Sequence, residues 1–402
     1  MESALGGIRI IDLTGMGPAC ISAMMLGDMG AEVVRVDPPP GVGSGGVGQG
    51  LPATGDELEQ LRMTAHMASC RNKKSMMLNM KMEPGREVFK NLAQTADVVI
   101  EGFRPGVMDR MGVGYQSLSK VNERIIFCSV SGYGQDGPYR NFVGHDPDYS
   151  AMGGVMGLVG MSAVEPPVFA QNIMADMTAV FNTVIGILLA LSARQKTGRG
   201  QMVDISMLDS AVFLSVGIPG LSEYFYTGTA PRRGETLLSG NQPFASVYRT
   251  KDDKYLTVCP IEARFWMNLC RTLGREDLIP HQHAVGAKKE EVIRELRDIF
   301  VTRTRDEWFQ VLTAADVPAG KVLDAHEVFR DPQVLHRKMV LEMDDPQVGK
   351  VKQIGFPIKF SDTPGAVRTM PALPGQHTRE ILSGLGYAQD DVDALLQAGV
   401  VR

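Results

Sequence analysis

Three acid/base side chains lie close together in the loop 144–149, which reads GHDPDY, and Asp176 follows at the start of a long apolar segment. Glycine and proline in this loop indicate a turn, where packing does not require charged residues. An imidazole titrates near neutral pH, and a carboxyl group in an apolar pocket can keep its proton. The pattern predicts that His145 and Asp176 form an acid/base pair facing a bound acyl group.

Both members of this pair have simpler explanations. Asp176 lies where a helix N-cap is expected, and aspartate is a common N-cap residue. A helix N-terminus also lowers the pKa of a carboxyl group, which favours a nucleophilic carboxylate over an acid. A histidine in a loop is often only solvated. The residue types and their spacing leave these alternatives open.

The composition is that of a soluble globular chain of two domains, with 402 residues, of which 44% are hydrophobic. A net charge of −5 argues against a nucleic-acid partner, because phosphate backbones bind to basic surfaces. The five cysteines have no metal-ligand spacing, so we predict free thiols and no metal site. Since the N-terminus lacks the pattern of a signal peptide and no uncharged run spans a bilayer, we expect a cytoplasmic protein without membrane insertion.

Methionine is abundant, at 24 residues, and five methionines flank the predicted acid/base pair: Met152, Met156, Met161, Met174 and Met177. Most single methionines fill gaps in a core, but methionine-rich surfaces also accept varied apolar ligands. Their position favours an apolar ligand surface.

The N-terminal segment predicts a strand–helix–strand unit over 8–13, 19–29 and 31–37, as in doubly wound α/β folds. Glycines precede the helix and Asp37 ends the second strand, which is reminiscent of a dinucleotide fingerprint. Cys20 replaces the third glycine, and Pro18 removes a backbone donor from the phosphate cradle. An NAD-type or non-catalytic binding module is therefore the least favoured reading.

Basic residues precede or follow two further predicted strands. Lys73 and Lys74 lie in a basic turn before the strand 76–80, and Arg104 follows the strand 97–101. Ligands bind at the carboxyl ends of strands in open α/β sheets, so these side chains are candidates to hold phosphate, although a solvated turn also explains the lysines.

The pattern changes after about Gly228, where a hairpin around 251–253 and helices at 263–273, 288–301 and 304–314 indicate a smaller α+β domain. We therefore predict a Rossmann-like large domain over 1–225, a small α+β domain over 226–325 and a return to the large domain over 326–402.

Several segments, in order along nearly the whole chain, resemble the class III CoA-transferase and α-methylacyl-CoA racemase superfamily (CaiB/BaiF type). They include GIRIIDLTGMGPACISAMMLGDMGAEVVRVD, VIEGFRPGVMDRMGVG, SGYGQDGPYRNFVGHDPDY, ALSARQKTGRGQMVDISMLD, DPQVLHRKMV and LPGQHTREILSGLGY. The resemblance implies an acyl-CoA substrate, no cofactor beyond its coenzyme A moiety, and an interlocked homodimer with the active site between subunits.

The resemblance also assigns roles to single residues. Asp176 matches the aspartate that transferases use as a nucleophile, whereas racemases add a histidine, matched by His145, and a glutamate, matched by Glu262. The loop departs from the racemase pattern at Pro147 and Asp148. Pro38 replaces an arginine that grips CoA phosphate, so other residues are expected to contact CoA: Arg35, Lys73, Lys74, Leu78, Asn79, Met80, Lys81, Arg104, Gly144, Asp146 and Tyr149.

Inversion of the carbon next to a thioester needs one group on each face, because a single base returns the proton to the face from which it came. We expect His145 and Asp176 to be these groups, with Glu262 supporting His145, in a racemase or epimerase of 2-methyl-branched acyl-CoA thioesters. The alternative is a family III CoA-transferase that carries the acyl group on Asp176 as an anhydride.

Overall fold

The computed structural model describes residues 3–42, 63–169, 174–217, 221–345 and 347–402. The chain divides into two compact units, the first comprising Met1–Gly153, Ile173–Val212 and Pro332–Arg402 and the second Gly154–Asn172 and Phe213–Asp331. The predicted pieces 1–225, 226–325 and 326–402 have the same order, but this division begins the second unit at Phe213 and adds 154–172 to it.

Six parallel strands form the sheet of the first unit, in the order β3-β2-β1-β4-β5-β6. Their bounds are β1 Arg9–Asp12, β2 Glu32–Asp37, β3 Lys73–Met77, β4 Val98–Glu101, β5 Ile126–Ser131 and β6 Met202–Ser206. The strand order reverses between β1 and β4, and such a reversal opens a crevice at the carboxyl ends of the strands. The predicted Rossmann-like α/β class is confirmed.

The helices, in chain order, are α1 Pro18–Asp28, α2 Glu83–Gln94, α3 Val107–Arg110, α4 Tyr115–Val121, α5 Asp146–Met152, α6 Met174–Thr197, α7 Met207–Leu214, α8 Leu221–Thr227, α9 Ala263–Thr272, α10 Gly286–Phe300, α11 Arg305–Ala314, α12 Ala325–Val328, α13 Pro332–His336, α14 Thr378–Gly384 and α15 Gln389–Gln397. Short 3-10 turns occur at Ala68–Cys70, Met156–Leu158, Ser215–Gly217 and Glu276–His281.

Apolar runs on the central strands are buried on both faces of the sheet, as parallel strands require. Ile11, Val99 and Phe127 pack on one side with α2 and the C-terminal helices α14 and α15. Ile10 and Cys128 pack on the other side with α1 and α6. Successive residues alternate between two cores because side chains of a strand point to opposite faces.

Helix α6 is long and apolar enough to cross a membrane by length and composition. Ile187 and Ala190 are buried in the core with Ala23 of α1 and Val130 of β5. The helix therefore lies against α1, β5 and β6 as a core helix of the α/β fold.

The second unit contains an antiparallel sheet in the order β10-β9-β8-β7, formed by β7 Asn241–Gln242, β8 Ala245–Arg249, β9 Tyr255–Val258 and β10 Ala319–Lys321. The predicted hairpin is β8–β9, and Asp253 in its turn has a φ of 59°. Tyr248 stacks on Phe300 of α10 with ring centroids 4.5 Å apart in the core of this unit. In the first unit, β11 Val340–Asp345 and β12 Gly349–Ile354 form a further hairpin.

Candidate functional site

The N-termini of α5 and α6 meet at two aspartates. Asp176 is the third residue of α6, which begins at Met174, so it is not the N-cap. Its backbone N–H donates to Oδ2 of Asp146, the first residue of α5, at 2.9 Å. The first four N–H groups of a helix lack an intrahelical acceptor. The buried Asp146 carboxylate is the acceptor for one of these groups in α6.

The Asp176 carboxylate is half-buried, and among the described residues it has no hydrogen bond or ion pair. Burial and, to a smaller extent, the charge of Asp146 raise its pKa to about 6, while the charge of His145 acts in the opposite direction. Both protonation states are therefore populated near neutral pH. The effect of burial on this carboxyl group outweighs the lowering expected from a helix N-terminus.

His145 is the N-cap residue of α5 and is exposed, with extended backbone angles φ −127° and ψ 176°. Its backbone N–H donates to Oδ2 of Asp148 at 2.9 Å, as in one half of a capping box. Pro147 lies in the first turn, where its missing N–H costs no hydrogen bond. The two departures from the racemase pattern thus form a stable helix start that fixes the backbone of His145.

Tyr149 holds the other end of this turn. Its hydroxyl donates to the carbonyl oxygen of Gly144, and its buried ring fills the space beside two glycines. A Cβ at Gly132 would lie 2.6 Å from the Tyr149 oxygen, and one at Gly144 would lie 2.8 Å from the ring, so both positions require glycine. Gly144, Asp146 and Tyr149, predicted to contact CoA, all have positioning roles within the loop.

A cavity of about 580 Å³ opens at the carboxyl edge of the parallel sheet, where small-molecule sites of α/β proteins occur. Leu78, Met80 and Lys81, three predicted CoA contacts, line it together with Thr14 and Phe103. Asn79 does not line this cavity; its side chain instead accepts the N–H of Lys81 at 3.1 Å.

One residue connects the cavity with the region of the acid/base pair. Met207, which lines the cavity, also packs against the small core of Tyr149, Ala175 and Ala211 beneath Asp176. A ligand that occupies the cavity and extends over Met207 therefore approaches the N-terminus of α6.

The predicted basic turn 71–75 is largely part of β3, and burial corrects two predicted phosphate contacts, Lys73 of β3 and Arg35 of β2. Lys73 is fully buried, with Nζ 2.8 Å from Oδ2 of Asp12 and 2.8 Å from the Cys20 carbonyl oxygen. Arg35 is also fully buried, and its Nε lies 2.7 Å from Oδ2 of Asp37. Both cations are enclosed by the protein and hold its strands and α1 together.

The neighbouring Lys74 points to the opposite face of β3 and is partly exposed, with Nζ 2.8 Å from Oε1 of Glu380. It remains accessible, but its charge is already paired. The pairing of Asp37 with Arg35 also removes the carboxylate that a dinucleotide site would offer to a ribose.

Sequence reasoning identified Arg104, which is exposed after β4, but missed two cations that lie beside Gly106. Nη1 of Arg110 and Nη2 of Arg140 lie 3.1 and 3.7 Å from the position of a Cβ at Gly106, which has a φ of +80°. Among the described residues, none of the three arginines has an ion-pair partner. The glycine after Arg104-Pro105 was the available signal, because its bare backbone admits long side chains from elsewhere in the chain.

Glu101 at the end of β4 was also missed. Its Oε2 accepts the N–H of Phe103 at 2.8 Å, and burial raises its pKa to about 7. The carboxyl group therefore anchors the backbone of a residue that lines the cavity.

Glu262 belongs to the second unit, where it is exposed and occupies the N-cap position of α9. Its side chain makes no capping hydrogen bond, so its helix position alone does not account for the carboxylate. Its support of His145 stays a prediction.

The sequence matches the profile described as CoA-transferase family III over residues 5–378. The fold and this match define the class: the chain belongs to CoA-transferase family III. It is 31% identical to human alpha-methylacyl-CoA racemase over 99% of both chains. It is 32% identical to human succinyl-CoA:glutarate CoA-transferase, over 99% of this chain and 90% of that protein.

The solved structure of a CAIB/BAIF family protein from Brucella suis has the same fold, with a TM-score of 0.78 and 25% identity. The match covers 96% of this chain and 100% of that one. Racemase and transferase relatives are similar at nearly equal identity, so overall similarity does not select between the two reactions.

Proposed function

We propose that this chain inverts the α-carbon of a 2-methyl-branched acyl-CoA thioester by proton transfer through an enolate. The observation that carries the proposal is the Asp176 carboxyl group, whose pKa is raised to about 6 within reach of the charge of His145. A group that changes protonation near neutral pH can both take and return a proton.

In this reaction one member of the pair removes the α-proton and the other delivers a proton to the opposite face. Neutral His145 accepts the proton from one enantiomer while protonated Asp176 donates, and the roles are exchanged for the other enantiomer. The negative charge of the enolate oxygen requires hydrogen-bond donors, which the N-terminal backbone of a helix can supply. Coenzyme A would lie in the cavity at the sheet edge, with Lys81 at its wall and the thioester near Met207.

The alternative is a CoA-transferase, and one observation favours it. The Asp176 carboxylate has no partner among the described residues, so it is free to attack a thioester carbonyl. Attack forms an acyl–aspartate anhydride and releases CoA as the thiolate. The thiolate then attacks the aspartyl carbonyl and expels the donor carboxylate, which leaves an aspartyl-CoA thioester. A second carboxylate attacks this thioester, and the released thiolate takes its acyl group from the new anhydride, which regenerates the Asp176 carboxylate. With a pKa of about 6, the side chain is mostly ionised at pH 7, as a nucleophile must be.

Deuterium exchange separates the two reactions. The protein is incubated with one enantiomer of 2-methylbutanoyl-CoA in deuterated water, and the α-carbon is followed by mass spectrometry and NMR. We expect one deuterium per molecule together with loss of enantiomeric purity. An acyl-enzyme trapped by hydroxylamine, with CoA transferred to added glutarate and no α-deuterium, would replace the racemase with the transferase.

His145→Ala sharpens this test because a nucleophilic carboxylate does not need the imidazole. Exchange should fall by about 10²–10⁴-fold in this variant, the usual contribution of a general acid or base. His336→Ala, which removes another exposed histidine of the first unit, is the matched control and should exchange like the unchanged protein.

We further infer that the chain forms the homodimer that the family resemblance predicts. Phe181, Ile185 and Leu189 lie four residues apart on α6, and 47%, 53% and 65% of their surfaces are exposed. Such an apolar stripe on a long helix is typical of an interface. Light scattering should give twice the chain mass of 43.7 kDa, and a single-chain mass would contradict the dimer.

We retain the predicted cytoplasmic location in this proposal. All five cysteines are free thiols, as is usual in a reducing compartment.

A further inference from the structure

Four aromatic rings form a connected cluster, three from the loop that leads to His145 and one from α5. Tyr133 lies at its centre, with ring centroids 6.0 Å from Tyr139, 6.1 Å from Phe142 and 5.2 Å from Tyr149. All three neighbours meet Tyr133 edge to face, and Tyr139 and Phe142 are themselves 4.9 Å apart. We call Tyr133, Tyr139, Phe142 and Tyr149 the aromatic cluster.

One side of the aromatic cluster is open to solvent. Phe142 is 57% exposed and Tyr139 is 40% exposed. Met152, whose sulfur accepts the Tyr133 hydroxyl at 3.5 Å, is 48% exposed beside them. Rings held by their neighbours give a rigid apolar surface that loses little conformational entropy on binding a ligand.

The other side of the aromatic cluster touches the proposed reacting site. Tyr133 and Met207 of the cavity wall both pack against the small core of Tyr149, Ala175 and Ala211, and Ala175 is the residue before Asp176. The charges of both Asp176 and Asp148 contribute to the raised pKa of Tyr149, after burial and Tyr133. The surface is therefore continuous with the place where the thioester would react.

The charges around the aromatic cluster disfavour an anionic ligand. The Asp148 carboxylate lies near Tyr133 and, after burial, raises the pKa of its hydroxyl. Arg140 is in the same loop, but its Nη2 lies 3.7 Å from the Cβ position of Gly106 after β4. A second carboxylate on the ligand would thus be repelled by Asp148 near the rings. The Arg140 guanidinium, which could offset this repulsion, lies at another loop.

We propose that the aromatic cluster binds the acyl chain of the thioester and selects uncharged, ring-bearing acyl groups over those that carry a second carboxylate. The proposal rests on the proposed function only in taking an acyl-CoA as the ligand at Asp176. It holds for either reaction. It makes Phe142 and Tyr139 specificity-determining residues, because they are the exposed members of the cluster.

Binding of three thioesters tests this, measured by isothermal titration calorimetry with the full chain: 2-phenylpropanoyl-CoA, 2-methylbutanoyl-CoA and glutaryl-CoA. The phenyl thioester should bind tightest and glutaryl-CoA weakest. Phe142→Ala should weaken binding of the phenyl thioester about fivefold, the loss expected for one edge-to-face ring contact, and change the other two less than twofold. Phe329→Ala is the control, since it removes a half-exposed phenylalanine of the second unit and should leave all three affinities unchanged.

Two results would overturn the proposal: glutaryl-CoA binding as tightly as the phenyl thioester, or Phe142→Ala changing all three affinities equally or not at all. Circular dichroism of each variant separates a lost contact from a lost fold, and Phe142→Leu provides a second substitution if the alanine variant does not fold. Because the order of affinities does not depend on whether the bound thioester reacts, absent deuterium exchange with an intact affinity pattern would refute the racemase alone.

Discussion

Two charged clusters of the first unit each contain two aspartates but place them in different environments. The ion-pair cluster contains Lys73, Asp12, Arg35 and Asp37, and each of its charges is buried beside an opposite charge. At the reacting cluster of His145, Asp146 and Asp176, two carboxyl groups lie close together, and Asp176 is half-buried without a paired cation among the described residues.

This difference indicates which charges serve stability and which serve chemistry. Burial disfavours the charge on Lys73, but Asp12 together with Cys20 and Cys70 outweighs this effect and raises the pKa of the ammonium group. Among the described residues the charge of His145 compensates Asp176 only in part, so burial leaves its pKa raised to about 6. A carboxyl group kept in an unfavourable environment is typical of an active site.

Lys73→Met should produce the largest loss of stability, because it leaves Asp12 charged and unpaired in the interior. We expect the free energy of unfolding to fall by about 3–5 kcal/mol. Urea denaturation followed by circular dichroism measures it. Lys74→Met is the matched control on the next residue of the same strand, and its loss should be at most about 1 kcal/mol because its ion pairs are partly exposed. Equal losses in the two variants would remove the distinction between the clusters.

Asp176→Asn should have the opposite profile, with a large loss of activity and no loss of stability. We expect α-deuterium exchange to fall by about 10²–10³-fold, because the amide cannot take or give the proton. Asp298→Asn, an exposed carboxylate of α10, is the control and should retain exchange.

The pH dependence of stability gives a second measurement for Asp176→Asn. The folded-state pKa of about 6 lies above the ordinary 3.8, so the folded protein binds this proton more tightly than the unfolded chain. The contribution of this proton to the free energy of unfolding is fully present below pH 3.8 and is lost as the pH rises through 6. The uncharged variant should therefore match the unchanged protein at pH 4 and exceed it at pH 8, by roughly 1 kcal/mol after allowance for solvent screening. A variant less stable at pH 8 would show that the carboxylate has a stabilising partner.

Much of the fold was accessible from the sequence because apolar runs and glycine turns determine it locally. The parallel strands follow from short buried runs such as Val98–Glu101, and the β8–β9 hairpin follows from its charged turn. The cavity at the carboxyl edge, with Met80 and Lys81 on its wall, follows from the topology of an open parallel sheet.

The sequence did not predict which residues the charged side chains would pair with. Lys73 and Lys74 read as one basic turn, but a strand sends neighbouring side chains to opposite faces, and the start of β3 decides which lysine is buried. Arg140 approaches Gly106 from a separate segment of the chain, so no local pattern joins it to Arg104 and Arg110. Pro147 and Asp148 were read only as departures from a family pattern, because the start of α5 was not predicted.

Pro147→Ala should have the smallest effect of these substitutions. It tests whether Pro147 serves only to begin α5. If Pro147 only begins α5, alanine restores an N–H that needs no intrahelical partner and relaxes the unfolded chain, so stability should change by less than about 1 kcal/mol. Exchange at the α-carbon should stay within about twofold, since Asp148 still accepts the N–H of His145. Thermal unfolding and the exchange assay measure both. A rise in exchange of tenfold or more would mean that the restored donor reaches the enolate, and would place Pro147 in the reacting cluster rather than only at the start of its helix.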